Sequence, residues 1–108
     1  MKSKRIMELT NAIVVNVLPL ERGTRQDGTS WQNRKVIVRD SLPVPYPDEV
    51  VVTFRGDRAT QIPELKTGDH VKIGWSSKVY ERKFTAKSTN EERTVYEQDN
   101  TGFSVELL

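Results

Sequence analysis

Five apolar runs of strand length with a period of two, a single stretch with room for a short helix, and Asp-Gly or Gly-Asp pairs between runs predict an all-β fold. The expected form is a small five-stranded Greek-key barrel. At 108 residues the chain reads as one domain, 1–108, with length for one modest core. Apolar residues make up only 35% and charged residues 30%, yet the apolar ones gather in strand-sized clusters, which favours a thin-cored soluble domain over disorder.

Residues 6–18 are rich in β-branched side chains, with Met7, Leu9, Ile13, Val15 and Val17 on one parity, and Pro19 ends them. This is a long first strand, preceded by a basic stretch, residues 1–5, expected to be flexible. Residues 21–30 form a Gly-bearing loop in which Asp27-Gly28 is a hairpin-turn signal. The second strand, residues 31–40, returns antiparallel. It turns Val36 and Val38 to the core and Trp31, Asn33, Lys35, Ile37 and Arg39 to the other face.

Residues 41–47 hold three of the five prolines and read as a stiff, extended connection. The third strand, residues 49–55, points Val50, Val52 and Phe54 inward and Val51, Thr53 and Arg55 outward. Gly56-Asp57 closes it, with Asp57 a candidate N-cap for one or two helical turns before Pro63 and Leu65. The Gly68-Asp69 turn leads into a fourth strand, residues 70–84. Val71, Ile73 and Trp75 face inward there, and Lys72, Gly74, Ser76, Lys78, Tyr80, Arg82 and Phe84 outward. Gly74 marks a bulge or a bend.

Residues 85–94 are polar and read as an exposed loop. The fifth strand is expected to be interrupted, 94–97 and 102–108, around an Asp99-Asn100-Thr101-Gly102 turn. Five strands with a helical piece between the third and fourth is the order of an OB-fold. A small open β-sandwich or an SH3-like barrel is the competitor, and that helical piece tips the balance.

Asp27-Gly28 with Trp31, the apolar third strand ending in Phe54, then Gly56-Asp57, Leu65, Gly68-Asp69 and Val71 carry a resemblance. They resemble a family of small, largely uncharacterised bacterial OB-fold proteins, related in shape to single-stranded-DNA-binding and primosomal replication proteins. The resemblance spans about residues 12–84. The acidic segment before Tyr96 and Phe103 departs from the compact aromatic-rich hairpin with which such proteins usually finish. The resemblance implies the fold and nucleic-acid binding, and implies no catalysis.

The net charge is only +2, but its distribution is uneven. Residues 22–39 and 72–87 each carry +4, whereas residues 40–71 carry −3 and 88–108 carry −4. An OB-fold usually binds across its second and third strands, between the loop joining strands one and two and the loop joining strands four and five. On that map Arg22, Arg25, Arg34, Lys35 and Arg39 of the first basic block, Arg55 of the third strand, and Lys72, Lys78, Arg82, Lys83 and Lys87 of the second lie beside one groove. Trp31, Tyr80 and Phe84 are the candidate stacking platforms, and Trp75 belongs to the core. Cations along the phosphates with aromatic faces for the bases suit a single strand of DNA, or of RNA, without strong sequence preference.

Each of these residues also has a structural reading. Trp31 could cover the barrel end beside its turn, and the cations could serve solubility on an exposed strand face. Other chemistry finds little support. The sole histidine, His70, adjoins a turn and reads as a surface residue; without cysteine there is no thiolate site or disulfide, and no phosphate-cradling Gly-Lys-Ser/Thr motif occurs. Neither an enzyme nor a cofactor or metal protein is expected. Polar residues interrupt the apolar N-terminal stretch, so neither a membrane span nor a signal peptide is expected, and a cytosolic location fits. A second reading, from a different class, is a protein-interaction or assembly module that pairs through exposed strand edges as a homodimer or larger oligomer.

Overall fold

The structure, a computed structural model, describes residues 4–42, 48–85 and 90–108. In chain order it forms β1 (Lys4–Val17), β2 (Glu21–Thr24), β3 (Ser30–Asp40), β4 (Glu49–Arg55), α1 (Arg58–Gln61), β5 (His70–Thr85) and β6 (Glu92–Leu107). β1 runs antiparallel to β3 on one side and to β5 on the other. β3 is antiparallel to β4 and β5 to β6, and a parallel bridge between Thr53 and Thr101 joins β4 to β6. The order β1-β3-β4-β6-β5 therefore closes on itself, with one turn of helix between β4 and β5. This is the Greek-key barrel of an OB-fold.

Among the described residues six strands form where five were expected. The additional one, β2, lies in the polar segment read as a loop and pairs with β3 from Glu21–Asn33 to Thr24–Ser30. Its exposed side chains leave no alternation to read; the turn that follows folds it back onto β3. In that turn Arg25 N–H donates to the Thr29 carbonyl (2.7 Å) and Gly28 N–H to the Arg25 carbonyl (3.0 Å), with Gly28 at φ 88°. The Asp27 carboxylate accepts the Thr29 hydroxyl at 2.6 Å and its amide at 3.0 Å, and these bonds hold its pKa below the usual carboxylate value. A depressed carboxylate pKa contributes stability at neutral pH that is lost as pH falls through the folded-state pKa. Thr29→Val is expected to bring the Asp27 midpoint back toward the ordinary value in an NMR titration of its side-chain carboxyl; an unchanged midpoint would disprove this cause.

β1 does not keep one parity. Opposite β5 an extra residue lies between Leu9 and Ala12, and opposite β3 another lies between Val14 and Asn16. Each bulge swaps the face turned inward. Leu9 packs on the core, then Ala12 and Val14 are fully buried within it, then Val17 packs on it again. Ile13 and Val15, on the parity first assigned to the apolar face, are only half-buried.

β3, β4 and the first half of β5 follow the expected alternation. Val36, Val38, Val52, Phe54, Val71, Ile73 and Trp75 form the core with Leu65. The helical piece is a single turn, within the one or two turns expected. Asp57 sits at its N-cap without a side-chain capping bond, and only its carbonyl is used, accepting from Thr60 and Gln61. The Gly68-Asp69 turn docks on β1: Gly68, at φ 96°, donates to the Val14 carbonyl (2.8 Å) and Val14 N–H donates to the Asp69 carbonyl (2.9 Å).

β6 is a single strand rather than two pieces. The expected turn at residues 99–102 is instead laddered onto Lys78, Ser77, Ser76 and Trp75 of β5. β5 runs far enough to offer each of these residues a partner, and the ladder overrides local turn preference. Phe103 is the extra residue of a bulge opposite Gly74 and Trp75, so Gly74 does mark an irregularity. Thr85 and Glu92 to Thr94, assigned to a loop, extend the same ladder, and Lys4 and Arg5, assigned to a flexible end, pair with Lys78 and Ser77. Residues 43–47 of the proline-rich connection lie outside the described residues.

Candidate nucleic-acid interface

β5 and β6 continue past the barrel as a two-stranded arm. Directly opposite residues of an antiparallel pair share a face, so one face of the arm carries Lys78, Tyr80, Arg82 and Phe84 opposite Asp99, Glu97, Val95 and Arg93. The other carries Ser77, Val79, Glu81 and Lys83 opposite Asn100, Gln98, Tyr96 and Thr94.

The second face overhangs the outer surface of β3 and β4. Between them lies a cleft of about 620 Å³. Its floor is Asn33, Lys35, Val51, Thr53 and Arg55; its far wall is Ser77, Gln98, Asn100 and Trp75, with Arg5 and Met7 of β1 at the side. The arm is tied across the cleft: Arg55 forms an ion pair with Asp99 at 2.7 Å, and Asn100 Nδ2 donates to the Val51 carbonyl at 3.2 Å. Gln98 Nε2 donates to Ser77 Oγ at 2.7 Å within the wall.

Asn33 and Arg55 also line a second, smaller cleft of about 370 Å³ shared with Arg25, Ser30, Trp31, Gln32 and Gly56. Beyond Trp31 a third cleft, about 680 Å³, adds Arg22, Gly23 and Thr24. The three share lining residues and form one track, with Trp31 between the last two. The Trp31 indole lies against Gly23, its partner across the β2–β3 ladder, where any side chain on residue 23 would collide with the ring. A glycine there lets β2 serve as the backing of a half-exposed aromatic plate.

Of the residues singled out from sequence, this track gathers Arg22, Arg25, Trp31, Lys35 and Arg55. Arg39 shares the outer face of β3 but lies beyond the cleft, opposite Glu49 and Ile13. Arg34 is not among them. It has the inward parity of Val36 and Val38 and lines a separate hollow under α1 with Ala59, Ile62 and Leu65, its Nε buried without a hydrogen-bond partner among the described residues. Lys72 is also apart, on the outer side of the β1–β5 pair, where it faces Glu8 at 3.9 Å.

Lys78, Tyr80, Arg82 and Phe84 sit on the other arm face and do not line the cleft, which Asp99 of that face reaches through its ion pair with Arg55. Tyr80 donates to Glu97 at 3.1 Å and Arg82 pairs with the same carboxylate at 2.9 Å. That hydrogen bond and the Glu97 charge raise the Tyr80 pKa above the usual phenol value. Lys83 alone of the described second-block cations lies on the cleft-facing side. Lys87 lies outside the described residues.

The displacement has a simple cause. Past Trp75 the inward parity of β5 no longer meets the core, so it becomes the wall of the cleft, and the outward parity faces solvent on the far side. Sequence reading therefore missed Arg5, Met7, Gln98, Asn100 and Tyr96. Tyr96, 73% exposed, is in line with Gln98 and Asn100 on the cleft-facing side.

His70 pairs with Asn11 through Nδ1 and Oδ1 at 2.8 Å, away from the track. Among the described residues no three His, Asp or Glu side chains converge as a metal site, and no helix is long and apolar enough to cross a membrane.

The model of a protein family described as a domain of unknown function, DUF3127, matches residues 9–104. No curated protein matches the chain. Among solved structures it is similar to the second OB-fold domain of replication protein A from Methanococcus maripaludis, at 19% identity and a TM-score of 0.57, covering 91% of this chain and 79% of that one. It is also similar to Rim1, a mitochondrial single-stranded DNA binding protein from S. cerevisiae, at 12% identity and a TM-score of 0.50, covering 100% of this chain and 96% of that one.

Proposed function

We propose that this chain, which belongs to the DUF3127 family, is a non-catalytic module that binds single-stranded nucleic acid, DNA in preference to RNA, with little base selectivity. The observation that carries the reading is the half-exposed Trp31 indole, backed by Gly23, on a track that holds Arg22, Arg25, Lys35 and Arg5. Stacking uses the π-face common to all bases, and cations hold the phosphates whatever the sequence. Preference for DNA draws support from the single-stranded DNA binding named for one similar structure.

Electrostatics set the expected strength. Arg55 is committed to Asp99, and Lys35 is only loosely held by Glu21 at 3.9 Å. That leaves about three or four cations to displace counterions, for a slope of log affinity on log salt of about −2 to −3 for a single strand. Titration of an oligothymidine of about 25 nucleotides, followed by tryptophan quenching at several salt concentrations, is expected to give that slope. Absence of binding at low salt would overturn the reading.

A further inference from the structure

The arm ends in an unfinished sheet. Seven ladder pairs, from Val79–Gln98 to Thr85–Glu92, extend beyond Lys78, the last β5 residue paired with β1 among the described residues. A lone two-stranded ribbon is marginal in water, and a bare strand edge recruits another strand. Among the described residues β6 has no partner on its outer edge from Glu92 to Asn100, since its bridge to β4 is at Thr101.

We infer that this edge pairs with the same edge of a second copy, antiparallel and centred on Val95. The sequence there is self-complementary. In that register Arg93 faces the partner's Glu97, Thr94 faces the partner's Tyr96, and Val95 faces its own counterpart. Two-fold symmetry repeats each unlike pair. Arg93 makes no ion pair among the described residues, so its charge is available. Glu97, although it holds Arg82 and Tyr80, keeps a 36% exposed side chain. Moving the two-fold centre to Thr94 sets Glu91 against the partner's Glu97, which like charges disfavour, and moving it to Tyr96 sets Arg93 against the partner's Asp99, which Arg55 already holds at 2.7 Å.

The product is a four-stranded sheet, β5-β6 with the partner's β6-β5. Its two-fold axis is perpendicular to the sheet, so both cleft-facing sides lie on one surface. The contact itself does not depend on nucleic-acid binding.

Sedimentation of the whole chain over a rising concentration series tests it, with far-UV circular dichroism to verify each variant's fold. The wild-type mass is expected to climb toward twice the monomer. Arg93→Glu alone and Glu97→Arg alone each set like charges opposite one another twice, and each is expected to remain monomeric. Mixed in equal amounts they set opposite charges at both positions, and dimer is expected to return. A monomeric wild type, an Arg93→Glu variant that dimerises like wild type, or a mixture that stays monomeric would each overturn the inference.

Discussion

Phe54→Ala is expected to lower stability by about 3–5 kcal/mol, the usual cost of emptying a buried aromatic site, and chemical denaturation would measure it directly. Against the roughly 5–15 kcal/mol that holds an ordinary domain together, this would leave the barrel near its unfolding threshold. The size of the loss follows from position. Phe54 is 1% exposed and lies beside Thr53, whose bridge to Thr101 is the parallel pairing between β4 and β6. Its ring occupies the space over Gly102, where a methyl group would come 2.5 Å from Cε1. Gly102→Ala should therefore cost about 1–3 kcal/mol by overpacking. In the double variant, with the ring gone, that second cost should nearly vanish. Such non-additivity distinguishes a direct contact from two independent defects; additive losses would show that the ring and residue 102 do not compete for space.

Trp31→Ala is expected to weaken oligothymidine binding by about 1–3 kcal/mol, roughly 5- to 150-fold, with melting temperature little changed. The indole is half-exposed on the track and contributes nothing to the buried core. Tyr80→Ala is the informative counterpart. Sequence parity puts Tyr80 with the platforms, whereas in the structure it lies on the far side of the arm with its hydroxyl on Glu97. Its removal should leave affinity within about twofold. Tyr96→Ala, on the cleft-facing side, should reduce affinity instead. Should Tyr80→Ala weaken binding more than Tyr96→Ala, the ligand would run over the opposite face of the arm.

Much of the barrel was legible in the residues because its signals are local. Val36 and Val38, or Val52 and Phe54, are two residues apart on strands whose one face meets the core, so alternation marks them. Gly68-Asp69 announces a turn through its own backbone and side-chain chemistry. β2 and the unbroken course of β6 were not legible, since Glu21–Thr24 and residues 98–101 are polar and become strands only because a neighbour offers a ladder. β1 misled for another reason: two inserted residues, each invisible in a single chain, exchange the buried face twice.

The candidate site divides along the same line. Trp31, Lys35, Arg22, Arg25 and Arg55 could be named from sequence because they sit on or beside β3 and β4, where the barrel's interior defines which side is out. Along β5 the sequence determined an alternation but not its meaning. Val71 to Trp75 alternate against a core; beyond it the same parity turns first, at Ser77, to the wall of a cleft that exists only because the arm folds over β4, held by Arg55 to Asp99 and Asn100 to Val51, and then to solvent. Composition and periodicity thus determined a closed β fold with cations and an aromatic plate near its second long strand. Which face of the arm meets them is decided by contacts between residues more than forty positions apart, and only the tertiary structure supplies those.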